Sequence, residues 1–151
     1  MNPVFSPAQV RVIAGLARGL NSRRIGLILE VSSRCVRQYA ARAARRLPAT
    51  AHPYPALVHQ AYLLGHFDEQ EFPDLAVTAS RSLQMPRELV RALECLAAGM
   101  SHDQAAHHLG IGQAESVDYR LRAMRLLGAA SPAHAVALAW QHRLLTPHSP
   151  R

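Results

Sequence analysis

Apolar residues recur at helical spacing from the start of the chain. In SPAQVRVIAGLARGL, Ser6 stands as N-cap and Pro7 takes the first helical position. Val10, Ile13, Leu16 and Ala17 then form the stripe, and Gly19 ends the helix. Asn21 or Ser22 caps a second, short helix in which Ile25, Ile28 and Leu29 face inward. After Val31, Ser32-Ser33 can accept the free backbone N–H groups of a third helix. Val36, Ala40, Ala43, Ala44 and Leu47 lie on one face of that helix, which is predicted to stop at Leu47-Pro48 because proline disfavours helix in the residue before it. A loop, ATAHPYP, leads to a fourth helix, ALVHQAYLLGHF, with Leu57, Val58, Ala61, Tyr62 and Leu64 as its apolar members.

The third helix has a second pattern. Opposite its narrow, mostly alanine stripe fall Arg34, Arg37, Gln38, Arg42 and Arg45. A helix that packs lightly on its own domain and presents guanidinium groups outward suits a DNA groove. The plainer alternative is a solvated basic face.

The segment DEQEFPDLAVTASRSLQ reads as an acidic linker with a short helical turn around Leu75–Ala79. Beyond it the pattern returns. Shifting the sequence by about 80 residues places LARGLN over LAAGMS, and Leu29-Glu30-Val31 over Leu109-Gly110-Ile111. The second set of helices is predicted near 86–98, 103–109, 113–127 and 132–145. A repeat of this length means two copies of one domain, since a solenoid needs at least three short units. The expected organisation is all-α, with two tandem four-helix domains at 1–67 and 85–145, a linker at 68–84 and a disordered tail, TPHSPR, at 146–151.

Charge sharpens this division. All 17 basic residues are arginine, and the formal net charge is +7. Residues 1–67 hold nine arginines against the single acid Glu30, a net +8, whereas residues 85–151 reach only +2. The basic footprint therefore belongs to the first half, whose expected partner is a polyanion. Alanine-rich composition with 5% aromatics favours closely packed helices over sheets. No apolar run approaches the roughly 20 residues needed to cross a bilayer, and the N-terminus lacks a signal-peptide pattern. Cys35 and Cys95 sit inside predicted helices and read as reduced, buried thiols of a cytoplasmic protein.

The run SPAQVRVIAGLARGLNSRRIGLILEVSSRCVRQYAARAARRL, followed by ALVHQAYLLGHF, resembles the LuxR/FixJ-type helix-turn-helix domain. PREL, LAAGMS, LGIG, RLLG and HAVALAWQHRLL are similar pieces in the second copy. The resemblance implies that the third helix enters the major groove. On it, Arg37, Gln38 and Ala41, with Arg42 nearby, match base-reading positions, and Ser33, Arg34 and Arg23 match phosphate-contacting ones. The chemistry agrees: arginine can take guanine O6 and N7, glutamine adenine N6 and N7, and Ala41 has room for a thymine methyl. Arg45 extends the same basic face. Arg24 departs from the family, which usually has an acid there. In the second copy, aligning Val117 with the turn valine needs a one-residue shift later undone, and Glu115 and Asp118 fall on or near the reading face. That copy is expected either to contact a second half-site or to mediate dimers through its fourth helix. On that helix Trp140 reads as a dimer anchor or as a core residue of its own unit.

Nine histidines show neither HExxH nor paired Cys/His spacing, neither cysteine has a His/Asp partnership, and the glycines are isolated helix terminators. No metal, cofactor or enzymatic activity is therefore expected. The expected function is a sequence-specific transcriptional regulator that binds double-stranded DNA, with a homodimer as one way of using the second copy. The alternative is an interaction module docking on another regulator or RNA polymerase with weak DNA attachment. A third reading is a nucleoid-type protein with little sequence preference. No membrane partner is expected, because the alanine face of residues 33–47 is too weakly hydrophobic.

Overall fold

A computed structural model of the chain describes residues 4–78 and 83–147, and among these the structure is all-α, with eight helices and no strand. They are α1 (Pro7–Ala17), α2 (Ser22–Leu29), α3 (Ser33–Ala44), α4 (Pro53–Leu63), α5 (Arg87–Ala97), α6 (His102–Leu109), α7 (Gln113–Leu127) and α8 (Pro132–Gln141). The starts follow local chemistry. Ser6 and Gln9 form a reciprocal capping box, as do Ser101 and Gln104. Asn21, rather than Ser22, caps α2, and Ser32 accepts from the Cys35 backbone N–H. Ser131 caps α8.

Several ends and faces differ from expectation. The α3 helix closes at Ala44, and its last turn tightens into shorter-range bonds from Arg46 N–H to Ala43 and from Leu47 N–H to Ala44. Ile28 points outward, 62% exposed, instead of inward. It lies about 60° round the helix from Ile25, whereas Leu29 lies about 40° round on the other side. The short helix rolls toward Leu29, which packs against the core. Leu64 is exposed because α4 ends one residue before it. The eighth helix stops at Gln141, not at 145, although Leu145 still turns back into the core.

Each contact among α1–α4 has a counterpart among α5–α8: α1 with α2, α3 and α4, α2 with α3, and α3 with α4. Between the two sets, α4 meets α8, α1 meets α8, and α4 meets α5. This is the pairing that a two-fold relation through α4 and α8 generates. One continuous apolar cluster joins both sets, from Ile13 and Leu57 to Leu93 and Val136. The halves do not swing on a tether; they share a core.

Trp140 is 5% exposed at the centre of this junction. Its ring stacks on Tyr62 of α4 at 5.3 Å between centroids and 6° between planes. Its indole N–H donates to His59 Nδ1 at 2.9 Å, and Gln141 Nε2 donates to the Tyr62 hydroxyl. Trp140 thus packs between the two sets of helices and not within its own four alone. Its partners lie 78 and 81 residues earlier in the same chain.

The acidic stretch is docked as well. Phe67, Phe72, Leu75 and Ala76 are buried, and Tyr62 donates its hydroxyl to the Leu75 carbonyl. Asp74 holds Arg18 in a two-pronged ion pair at 2.7 and 3.1 Å, and that guanidinium holds the Asp74 carboxyl below its ordinary pKa. The helical turn falls at 72–76, earlier than the expected Leu75–Ala79. Ala79, at the end of the expected turn, lies outside the described residues, as does the tail beyond Pro147.

The two-fold pattern repeats at the level of single residues. At the end of α1, Gly19 has φ +82° and abuts Ala130 and His134, just before and within α8. At the end of α5, Gly99 has φ +78° and abuts Thr50 and the His52 carbonyl, just before α4. A Cβ on Gly99 would stand 2.8 Å from Thr50 Cβ and 3.1 Å from the backbone oxygen of His52, whose N–H donates to the Gly99 carbonyl and ties the two segments together. Gly99→Ala is therefore expected to lower stability by about 2 kcal/mol, from left-handed strain plus the clash. Urea unfolding checks this, and a loss under about 0.5 kcal/mol would show that the junction yields freely.

Candidate nucleic-acid interface

The basic face is built by the angle between α2 and α3. Gly26 makes that angle possible: a Cβ there would stand 2.6 Å from the Val31 carbonyl, so only glycine lets α2 approach the turn so closely. Ile25 is held on the other side against Gly15 of α1. The α3 helix then anchors inward through Val36, Ala40 and Ala43, all at most 2% exposed. These residues are small, so α3 lies close to α1 and α4 while its opposite side is left to solvent.

Arg34, Arg37, Gln38, Ala41, Arg42 and Arg45 are all exposed on that side. Arg23, at the start of α2, is exposed, and Ser33 at the start of α3 is half-buried. The six exposed α3 residues fall on one side of that helix by their spacing, and Arg23 is exposed on the neighbouring helix. Among the described residues, the ion pairs are Arg18–Asp74 and Arg122–Asp118, and neither involves one of these arginines. Arg46 is set apart, because its guanidinium donates to the Val4 carbonyl and ties the end of α3 to the N-terminal segment. The helix carries 12 residues, about 18 Å of length.

The corresponding face of α7 has different chemistry. Both third helices begin 80 residues apart, at Ser33 and Gln113, so no one-residue shift is needed. Ser116 takes the buried place of Val36, and Val117 is half-buried. Asp118 is exposed, as expected, but pairs with Arg122 one turn later at 3.4 Å. Glu115 is exposed beside Tyr119. Arg120 sits at the place of Ala40 and is buried with its guanidinium donating to the Met100 carbonyl. Sequence reading missed Arg120, although the 80-residue offset places it over an inward alanine.

Among the described residues no three His, Cys, Asp or Glu side chains gather as a metal site, and no helix is long and apolar enough to cross a membrane. Both cysteines are free thiols. Burial pushes the Cys95 thiol up from its ordinary pKa, which keeps it protonated and unreactive near neutrality. No family model, curated protein or solved structure matches the chain.

Proposed function

We propose that the chain is a cytoplasmic, sequence-specific DNA-binding regulator of transcription, made of two tandem LuxR/FixJ-type helix-turn-helix units. The observation that carries this reading is the exposed face of α3. Arg34, Arg37, Arg42 and Arg45 are exposed there with no ion-pair partner among the described residues, with Gln38 and Ala41 among them. Arg37, Gln38 and Ala41 read bases, while Arg23, Ser33 and Arg34 hold phosphates. The pairing of α4 with α8 supports a different role for the second unit: it completes, within one chain, the fourth-helix contact that the resembled family makes between chains. Its Asp118 and Glu115 make α7 a poor phosphate binder. No catalytic role is proposed.

DNA selection from a random library tests this on the full chain, followed by titrations at several salt concentrations. A recovered motif, bound about 10³-fold or more above non-specific DNA, is the expected result. Binding without a motif, and only at low salt, would sink the specific reading. Arg37→Ala should cost about 1–3 kcal/mol at one base position and relax discrimination there. Arg23→Ala should instead weaken all sequences alike and lower the salt slope by about 1.

A second reading has its own observation. Leu27 and Ile28 of α2 are 73% and 62% exposed, and Val31 in the following turn is exposed beside them. Such an apolar patch next to a basic helix suits docking on another regulator or on RNA polymerase, with α3 supplying weak DNA attachment. Leu27→Asp separates the two, since it should leave DNA affinity intact and abolish any such docking.

A further inference from the structure

Between the halves lies a groove that the basic face does not use. Its volume is about 800 Å³, within the roughly 300–1,000 Å³ of small-molecule sites. Apolar side chains form its walls: Leu16 of α1 and Leu20 just beyond it, Leu96 from α5, and Val117, Leu121 and Met124 from α7. Leu121 is 46% exposed, so the groove is open to solvent along α7.

Three basic side chains share this lining: Arg120 of α7, His102 at the start of α6, and His52 just before α4. No carboxylate of the described residues lines it. Arg120 is 6% exposed and, among the described residues, has no acidic partner. Its guanidinium donates to the Met100 carbonyl at 3.1 Å. Burial lowers its pKa from the ordinary arginine value, opposed only by the neighbouring Cys95, itself kept neutral by burial. His102 buries an Nδ1 that has no hydrogen-bond partner. Its pKa is lowered by burial, then by Arg120 and His52, with Asp103 acting weakly the other way. A guanidinium taken out of water without a counter-ion is costly to a finished structure, and an anion in the groove removes that cost. One buried cation calls for one negative charge, and arginine's planar fork matches a carboxylate.

We propose that the groove binds a medium-chain alkyl carboxylate, its carboxylate on Arg120 beside His102 and its tail along Leu16, Leu96, Val117 and Leu121. The two halves contribute opposite walls, so an occupant touches both. The site stands whether or not α3 reads DNA.

The test is calorimetric titration of the full chain with sodium decanoate, alongside 1-decanol and decyltrimethylammonium, which carry the same tail without the negative charge. Decanoate is expected to bind one per chain, at least ten-fold tighter than either control. Arg120→Gln should lose that ten-fold preference. Leu121→Asp puts a carboxylate in the groove at an exposed position and should cost decanoate affinity ten-fold with an unchanged thermal melt; it decides the matter should the Arg120 variant not fold. Equal binding of decanoate and decanol, or no heat with decanoate up to millimolar concentration, overturns the proposal. So does a concentration-dependent dimer that decanoate leaves intact, because a second copy would then hold the groove.

Discussion

Trp140→Ala is expected to destabilise the chain by about 3–5 kcal/mol, the range for deleting a large buried aromatic. The whole side chain is packed, so the loss includes its apolar burial, the face-to-face contact with Tyr62 and the bond to His59. Removing the indole also strips His59 Nδ1 of its donor deep in the junction, which adds an unsatisfied polar atom to the cavity. In a chain of 151 residues this corresponds to a fall of roughly 10 °C in Tm. Trp140→Phe keeps the ring and much of the volume but not the donor, and should cost about half as much. Urea unfolding with matched slopes is the measurement. A cost below 1 kcal/mol for the alanine variant would mean that α4 and α8 can part without disturbing either half.

Residues 1–78 expressed alone should fail to behave as a cooperative monomer, whereas the full chain should melt in one transition. The reason is α4, which touches α1 and α3 on one side and α5 and α8 on the other. Leu57, Val58 and Ala61 are fully buried and Tyr62 nearly so. Deleting the second half exposes much of that surface, and a helix apolar on nearly all sides has no stable place at a water interface. The fragment is expected to pair with a second copy or to lose its sharp melt, as light scattering and thermal unfolding would register. A monomeric fragment with a cooperative transition, or two separate transitions in the full chain, would show that the halves fold independently.

Local chemistry was legible in the sequence, and the junction was not. Side-chain-capped helix starts were readable because a cap is a decision among neighbouring residues: Ser6 with Gln9, Ser32 with the Cys35 N–H; α4, which has no side-chain cap, begins at Pro53, inside the stretch ATAHPYP expected to be a loop. The outward face of α3 was readable because alanine and arginine alternate at the helical period, and every residue assigned to it is exposed or, for Ser33, half-buried. By contrast, ALVHQAYL is apolar on almost every face, so no stripe in it says which neighbour lies where. The partnership of Trp140 with His59 and Tyr62 spans about 80 residues and leaves no periodic trace. Arg120 escaped for a similar reason: a buried cation looks, by composition, like one more surface arginine.

The internal two-fold relation has a consequence for variation. In a pair of identical chains, every substitution at the contact appears on both sides of the axis at once, so a tolerable change must be tolerable twice. Here α4 and α8 are encoded separately, and each can drift while the other stays. The charges show how far that freedom extends, with the first half at +8 and residues 85–151 at +2. Dilution, which separates ordinary dimers, leaves this pairing untouched, so its geometry is the same at one copy per cell as at a thousand.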